Sequence, residues 1–249
     1  MCRTVVEKGV RVRKLSKTKP TSEQRNIDTD LWIIFVATLV TFVMFTVFQQ
    51  EIYGFVRGKE NPILLRVFAG AILQYGLAGL GITIVCIVRK EHFSSYGLNS
   101  KGLLLSILLC ILCFVPHIIF MLITQQTAGY LPFQSVWTTN ELLTSGFPTN
   151  TIGMLITATA WGFFEGFNYV VISEKINKRY PTKCRWLNWG AITCAIMCIL
   201  IHGAIGVTTQ GFIEMLTIII IIYGMLQVKE FTGNAWGCIF IFMFLWNAF

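Results

Sequence analysis

The stretch GLLLSILLCILCFVPHIIFMLIT, residues 102–124, is 23 residues long and contains no Asp, Glu, Lys or Arg. A helix on the surface of a soluble domain keeps one polar face. This one has none, and its length matches the ~20 apolar residues that carry a helix through the hydrocarbon core of a bilayer. The apolar residues run continuously rather than alternating, which predicts an α-helix and not a strand of a membrane barrel. Working outward, comparable runs occupy residues 31–48, 64–88, 151–173, 189–207, 212–228 and 233–249. The predicted fold class is therefore all-α: a polytopic transmembrane helical bundle of about seven spans. The composition agrees, with 55% hydrophobic and only 13% charged residues and a mean hydropathy of +0.66, far from a soluble domain.

Lys and Arg orient such a bundle, because short translocated loops are poor in them. Residues 1–30 read as a basic cytoplasmic tail carrying Arg3, Lys8, Arg11, Arg13, Lys14, Lys17, Lys19 and Arg25. Every second loop after it adds positive charge: Arg89, Lys90 and Lys101, then Lys175, Lys178, Arg179, Lys183 and Arg185, then Lys229. Only Arg57, Lys59 and Arg66 fall on the other side. This places the amino terminus in the cytoplasm, with the first run as an uncleaved anchor in the cell membrane and residues 31–249 as the transmembrane domain. The net charge of +8 sits beside the spans, which points to anionic membrane lipids as partners rather than nucleic acid. The outer loop at 125–150 is long enough to hold an interfacial helix or a lid.

Ionisable groups in a bilayer are costly and mark function by default. The candidates are Glu165 in the fourth run, His117 beside Pro116 in the third, His202 in the fifth, Glu214 in the sixth and Asn247 in the seventh. Gln74 in the second run reads as an interhelical hydrogen bond, and His117 as the partner of a carbonyl freed by the proline kink. The eight cysteines mostly lie in apolar runs, where Cys packs as a small hydrophobe; the Cys110–Cys113 pair has no second pair to complete a metal site. Cys194, Cys198 and His202 repeat every four residues and so share one helix face. A carboxylate, an imidazole and an amide from three helices make either a water- or metal-handling site or a polar knot that fixes packing. A carboxyl desolvated among Phe163, Phe164, Phe167 and Tyr169 suits general acid–base work without a metal.

The motifs around these residues resemble those of the CAAX protease and bacteriocin-processing family of intramembrane metalloproteases, over about residues 150–249. That family carries a Glu-Glu-x-x-x-Arg motif, a Phe-x-x-x-His motif and a final His-x-x-x-Asn or Asp motif. Here FEGFNY, residues 164–169, stands at the first, CILIH, residues 198–202, at the second, and MFLWN, residues 243–247, at the third. RKEHFSSYGLNSKG, residues 89–102, is similar to the family's cytoplasmic loop. The chain departs from the pattern at Phe164, Tyr169 and Met243, which replace a Glu, the Arg and a His; in the other register Glu165 is the first Glu, with Gly166 and Val170 as the replacements. The resemblance implies a membrane-embedded endopeptidase of the CAAX-processing type that cleaves a membrane-associated peptide or protein. Glu165, His202 and Asn247 would be its catalytic residues, with zinc as the implied cofactor. It implies equally a catalytically impaired relative that binds such a peptide, as in bacteriocin immunity.

A catalytic zinc takes three protein ligands, so His202 needs company that the family pattern does not supply here; Glu214 on the sixth run is the candidate. Depth raises a further question. At ~1.5 Å per residue, Glu165 lies about fourteen residues from the outer start of its run and His202 about five from the outer end of its own. Ideal, untilted helices are thus expected to hold the two apart.

Overall fold

The computed structural model describes residues 19–127 and 129–249. Of the predicted basic tail, Arg3, Lys8, Arg11, Arg13, Lys14 and Lys17 lie outside the described residues, as does Cys2. The α-helices among the described residues are α1 (Ser22–Val47), α2 (Gln49–Arg57), α3 (Ile63–Ala78), α4 (Leu80–Arg89), α5 (Leu103–Ile123), α6 (Thr139–Thr144), α7 (Thr149–Thr157), α8 (Glu165–Arg179), α9 (Trp189–His202), α10 (Thr209–Thr232) and α11 (Trp236–Ile241), with no strand among them. A 3₁₀ turn covers Phe93–Tyr96, and π-helical segments cover Ala158–Phe164 and Phe242–Trp246.

Four helical stretches are long and apolar enough to cross a membrane: Ser22–Val47, Leu103–Ile123, Thr149–Arg179 and Thr209–Thr232. A fifth forms if α3 and α4 count as one span bent by 57°. The remaining two apolar runs give shorter helices, Trp189–His202 and Trp236–Trp246. Glycine sets their limits, since Gly203 (φ 64°) stops α9 and Gly233 (φ 66°) separates α10 from α11, both in the left-handed region that other residues avoid. Helix α1 starts inside the stretch read as tail because Thr21 and Gln24 form a reciprocal cap, Gln24 N donating to Thr21 Oγ1 at 3.1 Å and Thr21 N to Gln24 Oε1 at 3.0 Å, the capping-box arrangement.

The centre of the bundle is α8, which packs against α1, α3, α9, α10 and α11. Its buried residues run almost without a break from Glu165 to Ile176, whereas α1 and α5 expose Trp32, Phe35, Leu39, Leu104, Leu108 and Leu112 as a lipid-facing shell would. Helices approach closely where one side chain is missing, as is usual between membrane helices. A Cβ on Gly166 would stand 3.1 Å from Ile239 Cα, and one on Gly162 would stand 2.5 Å from Met243 Cγ. The two glycines form a Gly-x-x-x-Gly face that admits the last helix.

At the end of the bundle carrying Arg179 and Lys229, charged side chains are folded inward. Asp30 is 2% exposed and Lys175 3%. Lys175 Nζ reaches Asp30 Oδ2 at 3.0 Å and Glu91 Oε2 at 2.8 Å, while Arg89 Nε meets Asp30 Oδ1 at 2.6 Å. Tyr96 donates its hydroxyl to Glu91. Burial would raise the Glu91 carboxyl, but hydrogen bonds from Lys175 and Tyr96 hold it below the usual value. Lys175, counted above as a topological charge, is thus a buried clamp joining α8 to α1 and to the turn after α4. At the opposite end Arg66, 3% exposed, donates to Val56 O and pairs with Glu141 of α6 at 2.8 Å, so the 125–150 loop does contain a short helix, tied to the bundle.

Candidate functional site

Glu165 is the first residue of α8, immediately after the π segment Ala158–Phe164. A π segment re-aims the side chains that follow it and is common at functional sites. His202 is the last residue of α9, where helix carbonyls lack partners. The two side chains meet: His202 Nε2 lies 3.8 Å from Glu165 Oε1. The expected separation by depth is overturned, and the hairpin explains why. Helix α8 has 15 residues from Glu165 to Arg179 and α9 has 14 from Trp189 to His202, so from the shared connection both residues stand at one level. The outer ends mislead because α9 stops at Gly203 while the fourth run continues upward through α7.

The hairpin itself is fixed by amides. Asn177 Nδ2 donates to Asn188 Oδ1 (2.8 Å), Asn188 Nδ2 to Gln227 Oε1 (3.2 Å), and Gly190 N to Asn177 Oδ1 (2.8 Å). A Cβ on Gly190 would stand 2.2 Å from Ser173 O, so the helices cross in near backbone contact. One turn inward from the Glu165–His202 pair, Tyr169 of α8 faces Cys198 of α9, and Cys194 Sγ lies 3.6 Å from Tyr169 O. The Cys194, Cys198, His202 face predicted from spacing therefore lies against α8.

A third helix closes the site. Gln74 of α3 donates from Nε2 to Glu165 Oε2 at 2.8 Å, so the residue read as a generic interhelical bond contacts the acid itself. Glu165 is 8% exposed, while the His202 side chain is 41% exposed: the imidazole is the accessible side of the pair. Trp246 packs edge-on against it, ring centroids 5.7 Å apart.

Comparison with protein families, with curated proteins and with solved structures returns no match for this chain. Its reading rests on the residues themselves. Asn247 accepts from Ser135 Oγ at 2.7 Å, and its backbone oxygen accepts from Ser135 N at 3.3 Å; Trp246, not Asn247, faces His202. The MFLWN match treats Asn247 as part of the last helix, but that helix ends at Trp246 and Asn247 is its C-cap, with its side chain bonded to Ser135 of the 125–150 loop. His117 Nδ1 lies 2.8 Å from Thr217 Oγ1 on α10, and that hydroxyl donates to Glu214 O at 2.7 Å. The histidine is thus the donor, and its partner is a neighbouring helix rather than a carbonyl freed by Pro116. Glu214 is half-buried on α10, and no group of three or more His, Cys, Asp or Glu side chains suited to a metal forms among the described residues. Glu165 and His202 provide two of the three ligands that a catalytic zinc takes, so the donor set does not fit the implied zinc.

The positions that depart from the family pattern are filled by apolar packing. Phe164 sits edge-on to Tyr75 (4.8 Å), Tyr169 stacks on Phe242 (5.3 Å), and Met243 fills the space left by Gly162. Gly162-x-x-x-Gly166 carries a close-packing signal that the motif match above does not use; the Asp30–Lys175–Glu91 clamp carries no linear signature.

Proposed function

We propose that the chain is a cell-membrane hydrolase similar to the CAAX-processing endopeptidases, with Glu165 as the base that activates water beside His202. Its seven apolar runs cross or enter the bilayer with the amino terminus cytoplasmic, anionic lipids contact the basic loops, and the substrate is a membrane-associated peptide or protein. The observation that carries this reading is the 3.8 Å gap between Glu165 Oε1 and His202 Nε2, too long for a direct hydrogen bond and short enough for both groups to reach one water beside them. In the proposed step a proton passes from that water to Oε1 and the hydroxide adds to the scissile carbonyl carbon. The same proton then goes to the departing amine as the C–N bond breaks. His202 holds the water and donates toward the developing oxyanion. No step runs through a metal.

General base catalysis contributes typically 10²–10⁴-fold. Cleavage of membrane-tethered peptides by the purified protein is therefore expected to fall by about that factor in Glu165→Gln and to persist in chelator; His202→Ala is expected to weaken it too. Equal cleavage by wild type and both variants, or none by any, overturns the hydrolase reading. A second reading is a relative that binds a membrane peptide without cutting it. It draws support from the apolar packing of Phe164, Tyr169 and Met243 at positions where the family pattern has charged or imidazole groups.

A further inference from the structure

We propose that Gln74 is a positioning residue that fixes which oxygen of Glu165 carries a proton. The inference builds on the acid–base role above but is tested without any substrate. The amide nitrogen of Gln74 can only donate, and it donates to Oε2 at 2.8 Å. Oε2 is thereby held as an acceptor. A proton taken up by Glu165 then resides on Oε1, the oxygen 3.8 Å from His202 Nε2. Without Gln74 that constraint is lost, and the hydroxyl is free to sit on either oxygen.

The surroundings support a fixed orientation. The carboxyl is 8% exposed, so water does not compete freely for Oε2. The titratable groups beside it are His202, Tyr169 and Cys198, all on the α8–α9 side; α3 presents the neutral Gln74. Gln74 lies just before the bend between α3 and α4, where Gly79 admits both Tyr75 and Phe164 within 3 Å of a would-be Cβ. That bend brings the amide of α3 to the start of α8.

The test is pH-dependent infrared difference spectroscopy on the full-length protein in lipid nanodiscs, with the protonated Glu165 carbonyl band assigned by its loss in Glu165→Gln. In Gln74→Met, which keeps length but has no donor, the band is expected to move to higher wavenumber because the carbonyl oxygen loses its hydrogen bond. In His202→Phe the carbonyl band is expected to stay in place, since that histidine faces the hydroxyl. A band unmoved in Gln74→Met but shifted in His202→Phe puts the proton on Oε2 and overturns the proposal. So does the absence of any Glu165 band across the accessible pH range. Should Gln74→Met not fold, the coupling between Gln74 ¹⁵Nε2 and Glu165 ¹³Cδ by solid-state NMR in the wild type decides the same point: coupling supports the proposal and its absence refutes it. Loss of peptidase activity with these signatures intact sinks the hydrolase reading alone.

Discussion

Replacing Lys175 by Met is expected to destabilise the protein by about 3 kcal/mol, near the lower end of the ~3–5 kcal/mol that follows removal of one partner from a buried ion pair. The side chains of Lys175 and Asp30 are 4% and 2% exposed, so Asp30, left behind, does not gain full hydration. Two features keep the loss from being larger. Asp30 retains Arg89 at 2.6 Å, and the Glu91 side chain, 33% exposed, can recruit water. Lys178, one turn further along α8, is the internal control. Its side chain is 55% exposed and pairs with Glu174 at an i,i+4 spacing, an arrangement worth only about 0.3–0.5 kcal/mol. Unfolding of each variant in detergent, followed by circular dichroism against denaturant, measures both. Asp30→Asn combined with Lys175→Met is expected to cost less than the sum of the single changes, because the two share one interaction. A Lys175→Met protein within 1 kcal/mol of wild type, or no less stable than Lys178→Met, refutes the clamp.

The same cluster sets an acid limb. The folded Glu91 carboxyl lies below its usual value, burial being outweighed by hydrogen bonds from Lys175 and Tyr96; its contribution is therefore full above the unfolded value of about 4.3 and is lost as pH falls through the folded one. Unfolding measured at stepped pH should show a shallower acid loss in Glu91→Gln than in wild type, and identical slopes contradict the assignment. At the hairpin crossing, Gly190→Ala sets a methyl 2.2 Å from Ser173 O. Overpacking at ~1–3 kcal/mol outweighs a helix-propensity gain of about 1 kcal/mol, for a net loss of about 2 kcal/mol at the severe end of that range. A protein as stable as wild type in the same denaturant assay means that α8 and α9 do not cross as closely as the structure has them.

The helical class was legible because hydropathy and length alone decide it: each of the seven runs is helical over most of its length. The helix limits were less so, since Gly203 and Gly233 end helices through backbone conformation rather than polarity, leaving apolar residues such as Ile205 and Val207 outside any helix. Glu165 and His202 were found as bilayer-depth ionisable groups, and the structure pairs them. Their separation was misjudged because depth was counted from the outer ends of the runs. Gln74 was found but undervalued, since a sequence does not say which partner an amide meets across 91 positions. Asn247 stands just past a helix that ends at Trp246, an end that hydropathy does not mark, and it bonds to Ser135. The Lys175 clamp was missed because Asp30 and Glu91 lie in stretches that read as tail and loop, and ion pairing between remote segments leaves no periodic trace.

Whether Glu165 belongs to a site or only to a packing knot is best decided by the backbone around it. Three irregularities converge on the carboxyl: the 57° bend between α3 and α4, the π segment ending at Phe164, and the left-handed Gly203 that ends α9 beside His202. Gly79 and Phe164 touch at the first two. Irregular backbone at membrane depth is tolerated only where it is buried in protein or lines a cavity, because freed N–H and C=O groups find no water in hydrocarbon. A polar contact that merely fixes helix packing needs none of this. Breaks of this kind give up regular intrahelical hydrogen bonds, and they re-aim the side chains next to them. Their concentration around one acid, one imidazole and one amide is the support that the backbone lends to the proposed acid–base centre over a knot.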